Sequence, residues 1–230
     1  MSKMNSDIKS LFKQISILLW KETTLEFRNM NALNSVLLYV FSTVFICYQS
    51  FTSIPEISVW NALLWIIIIF SSVNAVSRTF NSEPPARQYY YYQLADPVAI
   101  ISAKILYNAF FLLALSSLSF GVYSIVLGNH IPLTQISSFM LVLSIGSIGI
   151  SSLFTMVSAI ASRTGNSMGL ISVLGFPIMI PLLITVIRAS KLIADGLSWN
   201  QYAKYVYAIG GIDLMIIALS VILFPYLWRE

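Results

Sequence analysis

The chain has 230 residues, of which 57% are apolar and only 10% are charged, whereas a soluble domain carries roughly 25% charged residues. This composition excludes a soluble globular domain. The formal net charge is +4, and basic residues beside long apolar runs favour lipid headgroups over a nucleic-acid partner. With one histidine, His130, and one cysteine, Cys47, the chain offers neither a histidine-cluster metal site nor an internal disulfide.

The N-terminal stretch Asp7–Arg28 predicts an amphipathic helix in the cytoplasmic headgroup region. Its apolar side consists of Ile8, Leu11, Phe12, Ile15, Leu18 and Leu19, and its basic side of Lys9, Lys13, Lys21 and Arg28. A cytoplasmic extension of the first membrane span is the alternative. No small-residue cleavage site follows the first apolar run, so the segment is expected to be retained.

Six apolar runs follow, and each reaches or nearly reaches the about 20 residues that a helix needs to cross the bilayer. They are Leu33–Ser50, Val59–Ser77, Ala103–Leu127, Ile136–Ala161, Met168–Ile187 and Val206–Leu227. None alternates with a period of two, which argues against strands. The sequence predicts an all-α polytopic membrane protein with six transmembrane helices. It forms a single domain, 1–230, with the interface helix in 1–32, the spans in 33–227 and a cytoplasmic coupling loop in 78–102.

The distribution of Lys and Arg predicts that both termini are cytoplasmic. With the N-terminus inside, ten basic residues face the cytoplasm and only Arg188, Lys191 and Lys204 face out. The link Ser190–Tyr205 is then the outer loop, and its Trp199, Tyr202 and Tyr205 fit an aromatic belt at the interface. No Walker A motif occurs, so the chain is expected to carry no nucleotide-binding fold of its own.

The stretch Arg78–Asp96 is the longest polar interruption between apolar runs. Glu83-Pro84-Pro85 ends any helix that continues from the second span, and 86–94 is suited to a short helix parallel to the membrane. Such a helix fits a cleft on a soluble motor, with aromatic burial for affinity and charge pairing for register. The predicted docking and coupling residues are Arg78, Glu83, Arg87, Tyr89, Tyr90, Asp96 and Pro97. An interfacial aromatic loop without a partner is the alternative.

Polar residues and prolines inside the spans have two interpretations each. Ser147, Ser151 and Thr155 recur at i, i+4 and i+8 beside two glycines. They predict close helix packing or, alternatively, the polar lining of a substrate path. Pro177 and Pro181 predict a bend or break in the fifth span, either as a static kink or as a moving hinge.

Two ionisable residues stand apart from the basic flanks. Asp213 follows Gly210-Gly211 and is expected near the outer interface as the cap of a helix that begins there; a carboxylate deep in the membrane is the costly alternative. His130 is expected to be a solvated loop side chain, with a haem ligand or proton relay as the alternative.

Four stretches together carry a family resemblance. They are Lys21-Glu22 with 26–28, Leu64-Trp65 with 78–83, Leu94–Pro97 with Lys104, and Gly175–Ile184, which holds a Pro-x-x-x-Pro pattern. In their order and spacing the chain resembles the CcmB family, the membrane permease subunits of haem exporter-type ABC transporters in cytochrome c maturation. It departs from that family at 84–92, where the family has an acidic, glycine-containing stretch, and at 95–97, where the family has a Leu-Ser-Pro-like ending.

The resemblance implies an ABC-2 (type-2 exporter)-like permease of the bacterial inner membrane that is not itself an enzyme. A separate ATPase, CcmA, is expected to dock on the loop that holds Glu83 and Arg87. Further implied partners are a second copy of the chain, the haem-handling protein CcmC, the small subunit CcmD and the periplasmic haem chaperone CcmE. ATP hydrolysis would serve haem delivery and release of the haem-loaded chaperone, and no cofactor is assigned to the chain itself.

Three other functions are consistent with the residues. The first is a generic ABC-2 permease that exports a lipid, drug or polysaccharide. The second is an intramembrane enzyme that uses Asp213 and His130. The third is a structural assembly subunit that never cycles with ATP.

Overall fold

The computed structural model describes residues 2–28, 30–51, 53, 55–76, 79–80, 94–162 and 167–228. These residues form seven α-helices and one 3-10 turn, Leu133–Gln135, and they contain no strand. The helices are α1 (Ser2–Arg28), α2 (Met30–Ser50), α3 (Ile57–Val76), α4 (Pro97–Leu127), α5 (Ile136–Ala161), α6 (Ser167–Ala194) and α7 (Trp199–Trp228). The prediction of an all-α chain is therefore confirmed.

Among the described residues, five helical segments are long and apolar enough to cross a membrane. They are Ile57–Val76, Pro97–Leu127, Leu133–Ala161, Val173–Ala194 and Trp199–Tyr226. They correspond to the second through sixth predicted spans, which supports a multi-pass membrane protein. The first predicted span, Leu33–Ser50, lies within α2 and is not among the five, so the total of six stays a prediction.

Helix α5 is the centre of the bundle, and it packs against α3, α4, α6 and α7. Most of its residues are buried, including both of its glycines and four of its seven serines. A helix that is buried on all sides needs small residues where neighbouring backbones approach closely. Gly146 meets this need, because a Cβ atom there would lie 2.9 Å from Trp65 and 3.2 Å from Val186. Helix α1 packs on α4, and α2 packs on α3 and α4.

The aromatic part of the core lies where α3 begins and α4 ends. The Trp60 ring contacts the rings of Phe120, Tyr123 and Phe139. Its Nε1–H donates to the Gly128 carbonyl at 3.0 Å, and the Tyr123 hydroxyl donates to the Trp60 carbonyl at 3.0 Å. These bonds satisfy the polar atoms that burial of the aromatic side chains removes from solvent.

The bounds predicted for the outer loop, Ser190–Tyr205, are wrong, and its position outside the membrane stays a prediction. Helix α6 extends to Ala194 and α7 begins at Trp199, so only residues 195–198 connect them. The charged side chains of Arg188, Lys191 and Lys204 weakened the apolar signal, but all three are exposed and do not interrupt the helices. The actual stop is Gly196 at φ +75°, after which the Leu197 N–H donates to the Leu192 carbonyl at 3.1 Å in a Schellman ending.

The aromatic belt predicted in that loop is wrong for Tyr202 and stays a prediction for Trp199 and Tyr205. Trp199 is 43% exposed, as a belt residue should be, whereas Tyr202 is only 2% exposed. The Tyr202 hydroxyl is 2.9 Å from the Ser138 hydroxyl of α5, to which it donates. Tyr202 is therefore a core residue that fixes the start of α7 against the start of α5.

Helix α6 is continuous through Pro177 and Pro181. The predicted break at these prolines is therefore wrong, and a bend stays a prediction. Both prolines lie on the exposed side of the helix, where the backbone carbonyls that lose their hydrogen bonds are directed away from the core. The Thr185 hydroxyl donates to the Pro181 carbonyl at 2.6 Å.

Candidate functional site

A buried lysine joins three parts of the chain. Lys104 lies in the second turn of α4 and is 8% exposed. Its Nζ is 3.1 Å from the Glu22 carboxylate of α1 and 2.8 Å from the Thr79 carbonyl, to which it donates. The same ammonium group lies 4.8 Å from the centre of the Phe80 ring. A buried charge with this set of partners is compensated, and it ties α1 and α4 to the residues just after α3.

The polar network continues from Lys104 into the bundle. Asn108, one turn further along α4, donates from Nδ2 to the Thr155 hydroxyl of α5 at 2.8 Å. The Thr79 hydroxyl is also within reach of the Asn108 amide, at 3.2 Å. Thr155 in turn donates to the Ser151 carbonyl at 2.6 Å. The network therefore runs from α1 through Thr79 and α4 to the central helix.

Ser116 of α4 and Ser147 of α5 extend the polar contact between these two helices. The Ser147 hydroxyl donates to the Leu143 carbonyl at 2.7 Å and lies 2.8 Å from the Ser116 hydroxyl of α4. Ser151 donates to the Ile148 carbonyl at 3.0 Å. Ser147, Ser151 and Thr155 are all 0% exposed. Because their hydroxyls are bonded to backbone carbonyls, they allow close packing without leaving an unpaired donor.

The beginning of α4 is attached to α1 by a second contact. The Asp96 carboxylate accepts from the Val98 N–H at 2.8 Å and caps the helix, with Pro97 in the first position. This confirms that Asp96-Pro97 starts the element after the polar loop, although α4 begins six residues before the predicted Ala103. The Asp96 N–H donates to the Gln14 side chain of α1 at 3.0 Å. Residues 81–93 are thus flanked by Asp96, which binds Gln14 of α1, and by Thr79, which binds Lys104 of α4 and through it Glu22 of α1.

A family model described as CcmB protein matches residues 13–227, nearly the whole chain. The chain belongs to the CcmB family. CcmB proteins are permease subunits of haem exporter-type ABC transporters for cytochrome c maturation and are generally non-catalytic. The resemblance in the sequence is confirmed, and the chain is a multi-pass membrane transport protein. No curated protein matches it.

Several residues that the sequence assigns to docking in this CcmB chain lie outside the described residues. They are Arg78, Glu83, Arg87, Tyr89 and Tyr90. The short helix predicted over 86–94 also falls there, except for Leu94. Asp96 and Pro97 are described. Asp96 caps α4 and Pro97 is its first residue, so both follow the undescribed residues 81–93 closely in the chain.

The position of Asp213 differs from the prediction. It lies near the middle of α7 because that helix begins at Trp199 and runs through Gly210 and Gly211, so the predicted helix cap at Asp213 is wrong. Asp213 is 6% exposed and contacts Gly149 of α5. The carboxylate is therefore deep in the bundle rather than at its outer edge.

His130 follows the end of α4 and packs against Trp60, with the two ring centres 5.7 Å apart. Its Nε2 is buried, so it is not the freely solvated side chain that the sequence predicts. The described contacts do not bring His130 and Asp213 together, which removes the geometric basis for a joint catalytic site. In the part of the chain that the structure describes, no group of His, Cys, Asp and Glu side chains could hold a metal ion.

Sequence reasoning missed Lys104 and Asn108 as site residues in this CcmB chain, together with the partners of Lys104. Lys104 and Asn108 are one helical turn apart inside an otherwise apolar run, and such a pair is expected to face the bundle interior and find polar partners. That signal identifies a polar site on α4. It does not identify Glu22 and Thr79 as the partners, because these depend on how α1 and the end of α3 pack.

Proposed function

We propose that this CcmB-family chain couples ATP hydrolysis on a separate CcmA-type ATPase to haem delivery and to release of the haem-loaded CcmE-type chaperone. The observation that carries the proposal is the attachment of both ends of residues 81–93. Thr79 on one side binds Lys104, which pairs with Glu22 of α1, and Asp96 on the other side binds Gln14 of α1.

The coupling depends on how a push on this segment is transmitted. If both ends of the segment were free, motion of a docked ATPase would be absorbed by the loop. Because Thr79 and Asp96 are bonded to α1 and α4, the same motion moves these helices together as a rigid unit. The Asn108–Thr155 bond carries it on to α5, which packs against α6 and α7.

The docking residues are proposed to be Arg78, Glu83, Arg87, Tyr89 and Tyr90. Tyrosine and arginine contribute much of the binding energy at protein interfaces because they combine apolar area with polar groups. Asp96 and Pro97 hold the end of the segment where α4 begins. This arrangement resembles the coupling loop of an ABC-2 exporter.

Helix α6 is proposed to be the element that changes shape. Pro177 and Pro181 remove two backbone donors from the middle of a helix that packs on α5. The loss of two helical hydrogen bonds makes that turn the easiest place for α6 to bend. Ser147 and Thr155 keep α5 bonded to Ser116 and Asn108 of α4 while α6 bends.

The membrane arrangement follows from the same proposal. Helix α2 is the remaining span, giving six in total, and both termini are cytoplasmic in a bacterial inner membrane. Helix α1 lies at the cytoplasmic headgroups, which its opposite faces support: Gln14, Leu18 and Glu22 contact the bundle, whereas Phe12, Lys13 and Trp20 are exposed. A second copy of the chain, CcmC and CcmD complete the proposed complex.

The test of docking is a pair of alanine substitutions, Glu83→Ala with Arg87→Ala, in the intact complex. We expect much less ATPase to co-purify with the permease, while the permease still inserts in the membrane. The matched control is Glu56→Ala with Lys204→Ala, which removes one acid and one base from exposed positions that the proposed topology places on the opposite side. Unchanged co-purification of the ATPase in the Glu83/Arg87 variant would overturn the docking assignment.

A further inference from the structure

Helix α7 presents one carboxylate within an otherwise uncharged buried stripe. The stripe recurs every three or four residues and consists of Tyr202, Val206, Ile209, Asp213, Ile216, Ser220 and Phe224. Asp213 is at the centre of this series. Its carboxyl group therefore points into the packed interface between helices rather than toward lipid.

The carboxyl group occupies a notch in the central helix. Asp213 Oδ1 lies directly against Gly149, at the position that a Cβ atom would take, and Leu182 of α6 borders the same point. Gly149, Leu182 and Asp213 are each near the middle of their helices. The three helices thus meet around Asp213 at mid-bundle, and the absent side chain of Gly149 provides the space.

No described residue compensates a charge on Asp213. Its Oδ1 is buried without a hydrogen-bond partner among the described residues, and no salt bridge within that part of the chain includes Asp213. Helix α5 contains no Asp, Glu, Lys, Arg or His at all. Helix α6 contributes only Arg188 and Lys191, which are exposed near its end.

The remaining basic groups on helices packed against Asp213 are also distant. Lys204 of α7 is exposed and nine residues away, about 13 Å along the helix. Lys104 of α4 is paired with Glu22 and contacts Phe80, whose ring packs on Phe224. It therefore lies near the level of Phe224, about 16 Å along α7 from Asp213. Of the buried tyrosines, Tyr123 of α4 donates its hydroxyl to the Trp60 carbonyl and Tyr202 donates to Ser138.

An ionised carboxylate in this position would have lost its water without gaining a counter-charge, which is strongly unfavourable in a membrane interior. The neutral acid avoids that cost. We infer that Asp213 is an intramembrane proton-binding site, protonated while α5, α6 and α7 pack as they do here. It releases the proton when these helices separate and water reaches the notch at Gly149.

Protonation of Asp213 depends only on the packing of α5, α6 and α7 and not on the docking of an ATPase. It also couples the movement of these helices to the binding of a proton, which helix packing alone does not do. Separation of α6 from α5 would be accompanied by exchange of one proton per chain. The closed packing would be favoured by protonation of Asp213.

The direct test is infrared spectroscopy of the full-length protein in lipid bilayers at neutral pH. The difference spectrum between wild type and Asp213→Asn should contain the carbonyl stretch of a protonated carboxyl group, and that band should shift in D₂O. Asparagine has nearly the same shape, so the helix packing is kept. A difference spectrum that contains only the two stretches of an ionised carboxylate would overturn the inference.

A second measurement needs no variant. A membrane-soluble carbodiimide adds the O–H of a protonated carboxyl group across one C=N bond, and the product rearranges to a stable N-acylurea with the mass of protein plus one reagent. We expect peptide mass spectrometry of wild type to find the adduct on Asp213, and a water-soluble carbodiimide to modify the exposed Glu56 instead. Labelling of Glu22 and Glu26 by the membrane-soluble reagent, with Asp213 unmodified and the infrared band absent, would exclude a protonated Asp213.

Discussion

At the scale of single residues, Lys104 shows how a charge is accommodated inside this bundle. Its side chain and that of Glu22 are 10% and 14% exposed, so neither is solvated well enough to stand alone. Lys21 also lies 3.5 Å from Glu22. Glu22 therefore has a second cation nearby, whereas the only acid within salt-bridge distance of Lys104 among the described residues is Glu22.

This asymmetry predicts that the loss of Glu22 is more harmful than the loss of both charges. Glu22→Gln leaves Lys104 buried without a counter-charge and should lower the free energy of unfolding by about 3 kcal/mol. Glu22→Gln combined with Lys104→Met should cost less, because no unpaired charge remains. The measurement is denaturant unfolding in detergent micelles, with Lys21→Gln as the control, for which we expect a change under about 1 kcal/mol. A double variant as unstable as the single one would contradict the role given to the ion pair.

The contact between Gly149 and Asp213 gives a second prediction at this scale. A methyl group at 149 would overlap the Asp213 carboxyl group, so Gly149→Ala should destabilise the protein by about 2 kcal/mol. Asp213→Ala in the same chain removes the overlapping atoms and should recover part of that loss. The unfolding measurement is the same as for Glu22.

Gly211→Ala is the matched control for Gly149→Ala. It lies in α7 with no atom within 4 Å of the added methyl group, and it should be neutral or stabilising by up to about 1 kcal/mol. If Gly149→Ala behaved like Gly211→Ala, the proposed notch would not exist.

The sequence alone shows that Lys104 and Asp213 are ionisable residues in or beside apolar runs, where such residues are rare. It could not predict their surroundings. Asp213 was expected at a helix start because Gly210-Gly211 precedes it, yet both glycines are accommodated within α7. Whether a glycine pair ends a helix depends on the packing of its neighbours, and this information is not local.

At the scale of elements, the apolar runs predicted the helices well and their ends poorly. The central run Ile136–Ala161 coincides with α5, because no charged residue lies within it. The predicted spans begin too late for α4 and α7 and end too early for α6. Exposed basic residues at the ends of α6 and α7 reduced the apolar signal without stopping the helix, and α4 begins at a cap, Asp96, outside its apolar run.

Helix α6 provides the prediction that belongs to this scale. Pro177→Leu with Pro181→Leu restores two backbone donors and should stiffen α6, so that hydrogen exchange over 173–185 slows. We expect the ATPase to co-purify as before, because the proposed docking residues are unchanged, and the level of c-type cytochromes to fall, because α6 no longer bends. The cytochrome level is measured by staining for covalent haem.

The control for the proline variant is Pro225→Leu, which changes a third helical proline near the end of α7. It should leave the cytochrome level close to that of wild type. Normal cytochromes in the Pro177/Pro181 variant, together with slower exchange in α6, would exclude a hinge at these prolines.

At the scale of the whole molecule, the polar network connects the edge of the bundle to its centre. It begins at Glu22 and Thr79, passes through Lys104 and Asn108, and reaches Thr155 on α5. The sequence resemblance predicted the family and a loop for docking. It could not predict that Asp96 binds Gln14 of α1, or that Thr79 shares Lys104 with Glu22 of α1. The contacts Asp96–Gln14 and Lys104–Glu22 each join positions 82 residues apart in the chain.

The central claim is that ATP-driven motion reaches the chaperone through this chain, and the most direct test replaces the wild-type gene with Lys104→Met/Asn108→Leu. Covalent haem in c-type cytochromes and haem bound to the periplasmic chaperone are measured in the same cells, after co-purification has shown that the ATPase still binds. We predict that cytochromes are lost while haem stays on the chaperone, because docking persists and transmission to α5 fails. Normal cytochromes, or a chaperone without haem, would contradict the account.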